Sequence, residues 1–360
     1  MSWLISAVVL GGLVLVHELG HFLVARWSGV RVTRFSIGFG PVLCRWTRGD
    51  TEYVLSLLPL GGYVKMAGEH RTEATNAPGE FLSQSPGVRA RIVLAGPLVN
   101  SLVSILTLWV VLVIGYPELL PTVGRVLEGM PAQAAGVQVG DRILAIEGEP
   151  VHTWDDLTRT VHDAPDHPLA FTLQRGDASV TVTITPQPKE LRDAFGRLQR
   201  VGLVGVAPSG AFETRRVSPL AAVGETFAKQ VEWTGQIGLS LVSLATGRVS
   251  MQESLTGPIG IMYMTSEAAR MGFSSLVYLM SIFSLSLAIF NLFPVPILDG
   301  GHLLFLAAEK LRGRPVSVTV QEKAAQVSFA LLMLLAVFVC VNDVHRLGLF
   351  DKLQDWWRAN

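Results

Sequence analysis

Residues 1–25 of this 360-residue chain contain a single formal charge, Glu18, and a histidine lies on each side of it. The run reads His17-Glu18-Leu19-Gly20-His21. On a helix, residues i and i+4 share a face, so both imidazoles point the same way, as two ligands of a zinc ion do. Glu18 is then placed to act as a general base on a water molecule at the metal. An ionised carboxylate at mid-bilayer depth costs at least ~2.5–3.5 kcal/mol, so its presence predicts a functional site.

The composition is that of a membrane protein. Hydrophobic residues make up 49% of the chain and charged residues 16%, whereas soluble domains carry about 25% charged residues. Lys plus Arg equals Asp plus Glu at 29 each, which argues against nucleic-acid binding. Two separated cysteines, Cys44 and Cys340, cannot build a disulfide framework or a cysteine zinc cluster. The apolar N-terminus has no Lys or Arg before it, so we expect a retained transmembrane helix rather than a cleaved signal peptide.

Four apolar windows are long enough to cross a bilayer, which takes about 20 residues. The sequence therefore predicts a polytopic α-helical membrane protein with about four transmembrane helices. The expected order is a first transmembrane helix (1–26), a cytoplasmic loop (27–91) with a membrane-associated β-hairpin (about 51–66), a second transmembrane helix (92–116), an external domain (119–208), an external amphipathic helix region (215–271), a third transmembrane segment (272–300), a cytoplasmic loop (301–323), a fourth transmembrane helix (324–342) and a tail (343–360).

The orientation follows from the distribution of arginine and lysine. The loops at residues 27–91 and 301–323 are rich in both, so the positive-inside rule predicts that they are cytoplasmic. The segment at 117–271 and both termini are then external. Residues 119–208 contain alternating runs typical of strands, and residues 218–247 have a helical pattern that favours a helix lying on the outer membrane surface.

Residues 51–66 predict a strand, a Pro-Gly turn and a second strand, and the segment is too apolar to be stable in water. Strand edges are not tolerated in hydrocarbon, so we expect this hairpin to be buried by protein or to pair with another strand.

A third metal ligand is offered by Asp299, the first formal charge after Arg270. It lies in the run Asn291-Leu292-Phe293-Pro294-Val295-Pro296-Ile297-Leu298-Asp299-Gly300-Gly301, where the prolines interrupt a helix. Broken backbone at membrane depth lines a protein-enclosed or wet cavity, and a carboxylate there would complete a His-His-Asp zinc site with water in the fourth position. The alternatives are a histidine pair packed in a bundle, with Glu18 paired to an arginine, and a helix-end carboxylate at the interface.

The two runs resemble the two signatures of the site-2 protease family, which are intramembrane zinc metalloproteases. Further motifs are similar to the bacterial regulator of sigma-E protease type: residues 35–41, the PLGGYVKM run, residues 96–100 and residues 255–260. The resemblance implies one Zn²⁺ per chain, held by His17, His21 and Asp299, and catalysis with Glu18 as the base. It also implies substrate contacts at Asn291, Pro294, Asn100, Gly61, Gly62 and Tyr63, with the hairpin pairing with an unwound substrate as an added strand.

The run PAQAAGVQVGDRILAIEGEPV resembles a PDZ domain, which implies a single external α/β PDZ domain between residues 119 and 208. Whether such a domain binds a peptide C-terminus or acts only as a size filter stays open. The resemblance further implies a bacterial inner-membrane enzyme with its active site near the cytoplasmic side. Its expected partners are the lipid bilayer and single-pass membrane proteins, such as anti-sigma-factor-like clients pre-trimmed by a site-1 protease, or signal-peptide remnants.

Two other functions compete with proteolysis. One is a catalytically silent membrane PDZ adaptor that presents clients to other proteases, and the other is a zinc-dependent transporter or sensor. Neither needs Glu18, so a Glu18→Gln variant separates them from a hydrolase.

Overall fold

The computed structural model describes residues 2–69, 74–75, 77–192, 198–250 and 255–346. Within these residues the helices are α1 (Ser2–Trp27), α2 (Pro86–Ile114), α3 (Pro131–Ala134), α4 (Trp154–His162), α5 (Pro219–Ala245), α6 (Pro258–Met271), α7 (Phe273–Asn291), α8 (Asp299–Arg312) and α9 (Val318–Arg346). The strands are β1 (Val32–Arg48), β2 (Thr51–Met66), β3 (Tyr116–Leu119), β4 (Val123–Val126), β5 (Arg142–Ile146), β6 (Glu149–Pro150), β7 (Leu169–Arg175), β8 (Ala178–Ile184), β9 (Gln187–Arg192), β10 (Leu198–Leu203), β11 (Val206–Pro208) and β12 (Phe212–Arg215).

Among the described residues, four helices are long and apolar enough to cross a membrane, as the sequence predicts. They are α1, α2, α7 and α9. The third differs from the predicted segment at 272–300: α7 ends at Asn291, and Asp299 begins the next helix instead of closing the span. Helix α8 also occupies most of the region expected to be a cytoplasmic loop. The cause is the pair of prolines between the two helices, which ends one helix without preventing another.

The chain divides into two compact units. The first comprises Met1–Val111, Leu220–Gly238 and Leu255–Asn360, and the second comprises Leu112–Pro219 and Leu239–Ser254. In the first unit, β2 lies directly against α1: a Cβ at Gly11 would be 2.0 Å from the carbonyl oxygen of Pro59. This close approach needs a residue without a side chain.

The β-structure of the first unit corrects the predicted hairpin. Residues 51–66 form one continuous strand, β2, and both of its halves pair with β1 rather than with each other. Residues 34–37 lie between residues 62–65 on one side and residues 52–55 on the other. The apolar run thus has strand partners, but they come from residues 32–48, because the actual turn is at Gly49-Asp50.

Helix α5 also differs in part from the predicted surface helix. Its first half packs a polar face into the first unit, where Thr226 and Gln230 are buried. The Gln230 side chain donates a hydrogen bond of 2.7 Å to Ser104 Oγ, in the middle of α2, and Ser104 donates to the carbonyl oxygen of Ser281 on α7. A polar helix face with buried partners of this kind belongs to a helix bundle rather than to a membrane surface.

The second unit has its own core around a four-stranded antiparallel sheet of order β6-β5-β7-β8. Phe171, Leu173 and Ile146 from the sheet pack with Leu157 of α4 in this core. Helix α4 begins at a capping box, in which Thr153 and Asp156 satisfy each other's backbone N–H groups. Strand β3 pairs with β12, so the two ends of the segment between these strands lie next to each other.

Candidate metal centre

The predicted histidine pair lies on one face of α1, as its spacing requires. His17 and His21 are 6% and 7% exposed, and their Nε2 atoms are 3.1 Å apart. The Nδ1 atom of His21 lies 2.8 Å from the carbonyl oxygen of Ile92 on α2 and donates its hydrogen to it. Because Nδ1 carries the proton, the Nε2 atom of His21 presents a lone pair towards His17.

Residues 292–298 connect α7 to α8, and this connection, called the elbow below, brings the third predicted ligand to the histidines. Asp299 starts α8, and its Oδ2 lies 3.0 Å from His17 Nε2 and 3.4 Å from His21 Nε2. The glycines after it allow the chain to fold back: a Cβ at Gly300 would be 2.2 Å from the carbonyl oxygen of Leu292, and one at Gly301 would also strike the elbow.

A zinc ion fits the convergence of these three atoms. Zinc–nitrogen and zinc–oxygen distances of about 2.0–2.1 Å put the ligand atoms of a tetrahedron roughly 3.3 Å apart, and the three observed separations are 3.0–3.4 Å. Oδ2 of Asp299 is buried and has no hydrogen-bond donor among the described residues. A buried carboxylate oxygen facing two ring nitrogens is stabilised by a cation, so the donor set, its charge and its spacing all suit Zn²⁺.

The histidines can converge only because α2 presents glycine to them. A Cβ at Gly96 would lie 2.4 Å from His21 Nε2 and 2.7 Å from His17 Nε2. Within the HELGH run, a Cβ at Gly20 would be 2.6 Å from the carbonyl oxygen of Ala95. The two helices therefore touch backbone to backbone beside the site.

A cavity of about 580 Å³ opens beside the three converging atoms. Glu18 is half-buried and lines it, next to His17 and His21. The C-terminal residue of α7, Asn291, lines it as well, and so does Val64 of β2. The carboxylate proposed from the sequence as a base thus faces a space that a peptide can enter.

The other predicted substrate contacts do not share one environment. Gly61 and Gly62 are buried, and side chains there would strike Val14 and the carbonyl oxygen of Ser36, so these positions serve packing of β2 against α1 and β1. Tyr63 stacks on Phe39 with ring centroids 6.2 Å apart.

Pro294 and Asn100, which were also predicted to contact the substrate, are not among the residues that line the cavity. Pro294 is exposed in the elbow and is not among the cavity-lining residues. Asn100 is 0% exposed and contacts His17, so its side chain lies in the packed helix interface beside the site, and a substrate contact there stays a prediction. Asn100 lies one helical turn after Gly96, and at that position α2 directs its side chain towards α1.

An ion pair between Arg89 and Glu309, which the sequence did not suggest, links α8 to α2. Arg89 Nη2 lies 2.5 Å from Glu309 Oε1, and the two side chains are 10% and 17% exposed. The Arg89 Nε atom also donates to the carbonyl oxygen of Gln84. Since α8 begins with Asp299, this pair helps to fix the Asp299 carboxylate beside the histidines. Two residues 220 positions apart carry no common signal in a single sequence.

Comparison with known proteins identifies a family and relatives for this chain. Residues 5–335 match the model of peptidase family M50. A Rhizobium meliloti (strain 1021) protein described as a candidate zinc metalloprotease is 38% identical over 353 residues, covering 92% of this chain and 93% of that protein. The zinc metalloprotease RasP of Geobacillus kaustophilus is 31% identical, with 94% of this chain and 96% of RasP covered. The regulator of sigma-E protease RseP of Salmonella typhimurium is 32% identical, with 96% and 99% covered. The match extends over nearly the whole length, and this chain therefore belongs to peptidase family M50, the site-2 protease family, as a multi-pass bacterial membrane zinc metalloprotease.

Proposed function

We propose that His17, His21 and Asp299 hold the catalytic zinc and that Glu18 is the general base of an intramembrane endopeptidase. The observation that carries the assignment is the convergence of two ring nitrogens and one carboxylate oxygen at 3.0–3.4 Å beside a half-buried glutamate. A metal site with three protein ligands leaves a position for water or substrate, as hydrolytic zinc sites require.

When bound, zinc supplies Lewis acidity, which acidifies water and polarises the peptide carbonyl. Glu18 takes the proton from the attacking water and delivers it to the leaving amine. His17 and His21 keep their Nε2 lone pairs for the metal, and the Ile92 carbonyl fixes the tautomer of His21. Burial of these side chains keeps bulk water away from the reacting peptide.

We infer that the substrate binds as an added strand on β2. Residues 62–66 pair with β1 along one edge, and no other strand among the described residues pairs with them, although the main-chain N–H of Met66 donates to the Glu69 carboxylate. Val64 and Met66 of that segment line the cavity together with Glu18. A peptide bond inside a helix is shielded, so a substrate drawn out along this edge would expose its backbone to the base. Asn291, on the cavity wall, is placed to hold the same backbone.

The proposed substrates are single-pass membrane proteins, such as anti-sigma-factor-like clients trimmed outside by a site-1 protease, or signal-peptide remnants. The proposed orientation puts the metal centre near the cytoplasmic side of the bacterial inner membrane, with the second unit and both termini outside. Residues 119–208, within the second unit, are proposed to form a PDZ domain that excludes clients with bulky outer domains. Its helix at Pro131–Ala134 and its partly buried strand at Arg142–Ile146 are consistent with the PDZ-like sequence run.

The catalytic assignment is tested with Glu18→Gln in the full-length protein. We expect loss of cleavage of a trimmed single-pass client, with zinc content and abundance near those of the wild type, because the base lies outside the metal ligand set. Glu267→Gln, the same chemical change at an exposed residue of α6 outside the cavity, should cleave normally. Equal turnover by the Glu18 variant would refute the mechanism and favour an adaptor or transporter.

The size-filter role has a separate test. Leu119 and Phe212 are register partners, so the segment between them can be removed and its ends joined by a short turn. The shortened enzyme should cut the untrimmed client that the intact enzyme leaves uncut. If the intact enzyme cuts trimmed and untrimmed clients equally well, the second unit is not a size filter, although the zinc chemistry would be unaffected.

A further inference from the structure

We propose that Asn100 is a positioning residue that holds the His17 imidazole in its metal-binding orientation by accepting a hydrogen bond from Nδ1–H. The proposal rests on the proposed role of His17 as a zinc ligand. It assigns to Asn100 a function in the metal centre rather than the substrate contact expected from the sequence.

The contact is close and entirely internal. Asn100 is 0% exposed, and its amide group lies 3.2 Å from His17 Nδ1. A ring that binds metal through Nε2 carries its proton on Nδ1, and that hydrogen needs an acceptor. With the amide nitrogen towards the ring, the ring would have to accept instead, and Asn100 Oδ1 has no hydrogen-bond partner among the described residues. Metal binding therefore selects the amide orientation that turns Oδ1 towards Nδ1.

The partner of the other histidine supports the same arrangement. The Nδ1 atom of His21 donates to the main-chain oxygen of Ile92, which lies on α2, as Asn100 does. One helix thus provides an acceptor for each histidine, at positions two turns apart. The acceptor for His21 is backbone and cannot be removed by substitution, whereas the acceptor for His17 is a side chain.

The main chain at Asn100 is itself held in place by α7. Ser284 of α7 is 0% exposed, and its Oγ donates a 2.8 Å hydrogen bond to the main-chain oxygen of Asn100. This bond holds α2 against α7 at the height of the amide. Partners that orient a ligating histidine commonly change metal affinity by 10–100-fold when they are lost.

The test compares Asn100→Leu, which removes the acceptor at similar volume, with Asn100→Asp, which keeps an acceptor oxygen. Ser104→Ala is the matched control: Ser104 is 0% exposed on the same helix and hydrogen-bonded across the same interface, but it does not contact His17. Each full-length protein is purified in detergent and stripped of metal. Zinc affinity is then measured by competition with a chromogenic chelator, and the visible spectrum of the Co²⁺-substituted protein reports the ligand geometry.

We expect Asn100→Leu to bind zinc about 10–100-fold more weakly and to alter the Co²⁺ spectrum. Asn100→Asp should bind within a few-fold of the wild type, and Ser104→Ala should keep both affinity and spectrum. Wild-type affinity in Asn100→Leu would overturn the proposal. A loss in Asn100→Asp as large as in Asn100→Leu would show that an acceptor oxygen does not support zinc binding at this position and would also overturn the proposal. An equal loss in Ser104→Ala would reduce the effect to helix packing. If Glu18→Gln retains activity while Asn100→Leu loses zinc, the proposed catalysis fails and the positioning role stands.

Discussion

Replacing Gly96 by alanine should disable the metal centre although it adds a single methyl group. The new Cβ would lie 2.4 Å from His21 Nε2 and 2.7 Å from both Cε1 and Nε2 of His17. Comfortable contacts between such atoms are about 3.5 Å, so the rings must retreat by roughly 1 Å or the helices must separate. Zinc–ligand distances in real sites hold to within about 0.2 Å. Three ligands therefore cannot all stay bound with the methyl group in place.

The size of the effect follows from the cost of overpacking. Forcing an extra carbon into a packed interface costs about 1–3 kcal/mol, and 1.4 kcal/mol is a factor of ten in an equilibrium constant. Separating the two helices would restore the space only by losing the contact of Gly20 with the Ala95 carbonyl. We therefore expect the zinc affinity of Gly96→Ala to fall by about 10–100-fold.

A matched control is available on the same helix. Gly87 also lies on α2, and a Cβ there would meet nothing within 4 Å. Alanine is the better helix former by about 1 kcal/mol, so Gly87→Ala should be at least as stable as the wild type and bind zinc normally. Chelator competition on the purified, metal-stripped proteins measures the affinities. Zinc binding by Gly96→Ala within twofold of the wild type would refute the argument from close approach.

Three further predictions address the ligand set, pH and topology. Asp299→Ala should lower bound zinc as well as activity, measured by metal analysis of the purified protein, and stoichiometric zinc in that variant would remove Asp299 from the ligand set. Hydrogen bonding from the Arg175 guanidinium holds the pKa of Asp141 below its usual range, so this carboxylate stabilises the second unit above about pH 4 and the contribution disappears as the pH falls through the lowered pKa. The protection factors of the β5 and β7 amides, which are exchange rates corrected for the intrinsic pH dependence of exchange, should therefore fall in acid, and Asp141→Asn should be less stable at neutral pH and lose this dependence; unchanged protection factors would contradict it. Cysteine labelling in intact cells should reach a probe at Gly176 from outside and a probe at Arg312 only after permeabilisation, and the reverse pattern would invert the proposed orientation.

The candidate ligands could be predicted because charge is expensive in an apolar segment. Glu18 and Asp299 are conspicuous against long uncharged runs, and the i, i+4 spacing of the histidines already fixes their common face. The number of spans followed from the same apolar runs. These signals are local in the sequence, so they can be recognised without knowledge of the tertiary contacts.

Strand pairing and packing partners could not be predicted in the same way. The alternation in residues 51–66 indicates a strand but does not say which segment pairs with it, and residues 32–48 show no stronger signal as partner than the second half of the run itself. The motif at residues 96–100 gives the position of Asn100 along the helix, but it does not say which neighbouring helix the side chain faces. The Arg89–Glu309 pair depends on contact between α2 and α8, and this contact cannot be predicted from a single sequence.

The candidate metal centre depends on close approaches to glycine at three places, two by backbone and one by the histidine rings. Gly20 and Gly96 let α1 and α2 touch beside the histidines, and Gly300 lets the elbow bring Asp299 to them. In a bilayer the hydrophobic effect does not drive helices together, so small residues and interhelical hydrogen bonds must do so. The bond from Ser284 of α7 to the main-chain oxygen of Asn100 provides that attraction behind α2. The separation of the proposed ligand atoms is thus set by the close helix contacts beside the histidines, which is why Gly96→Ala, which leaves every proposed ligand intact, should still weaken zinc binding.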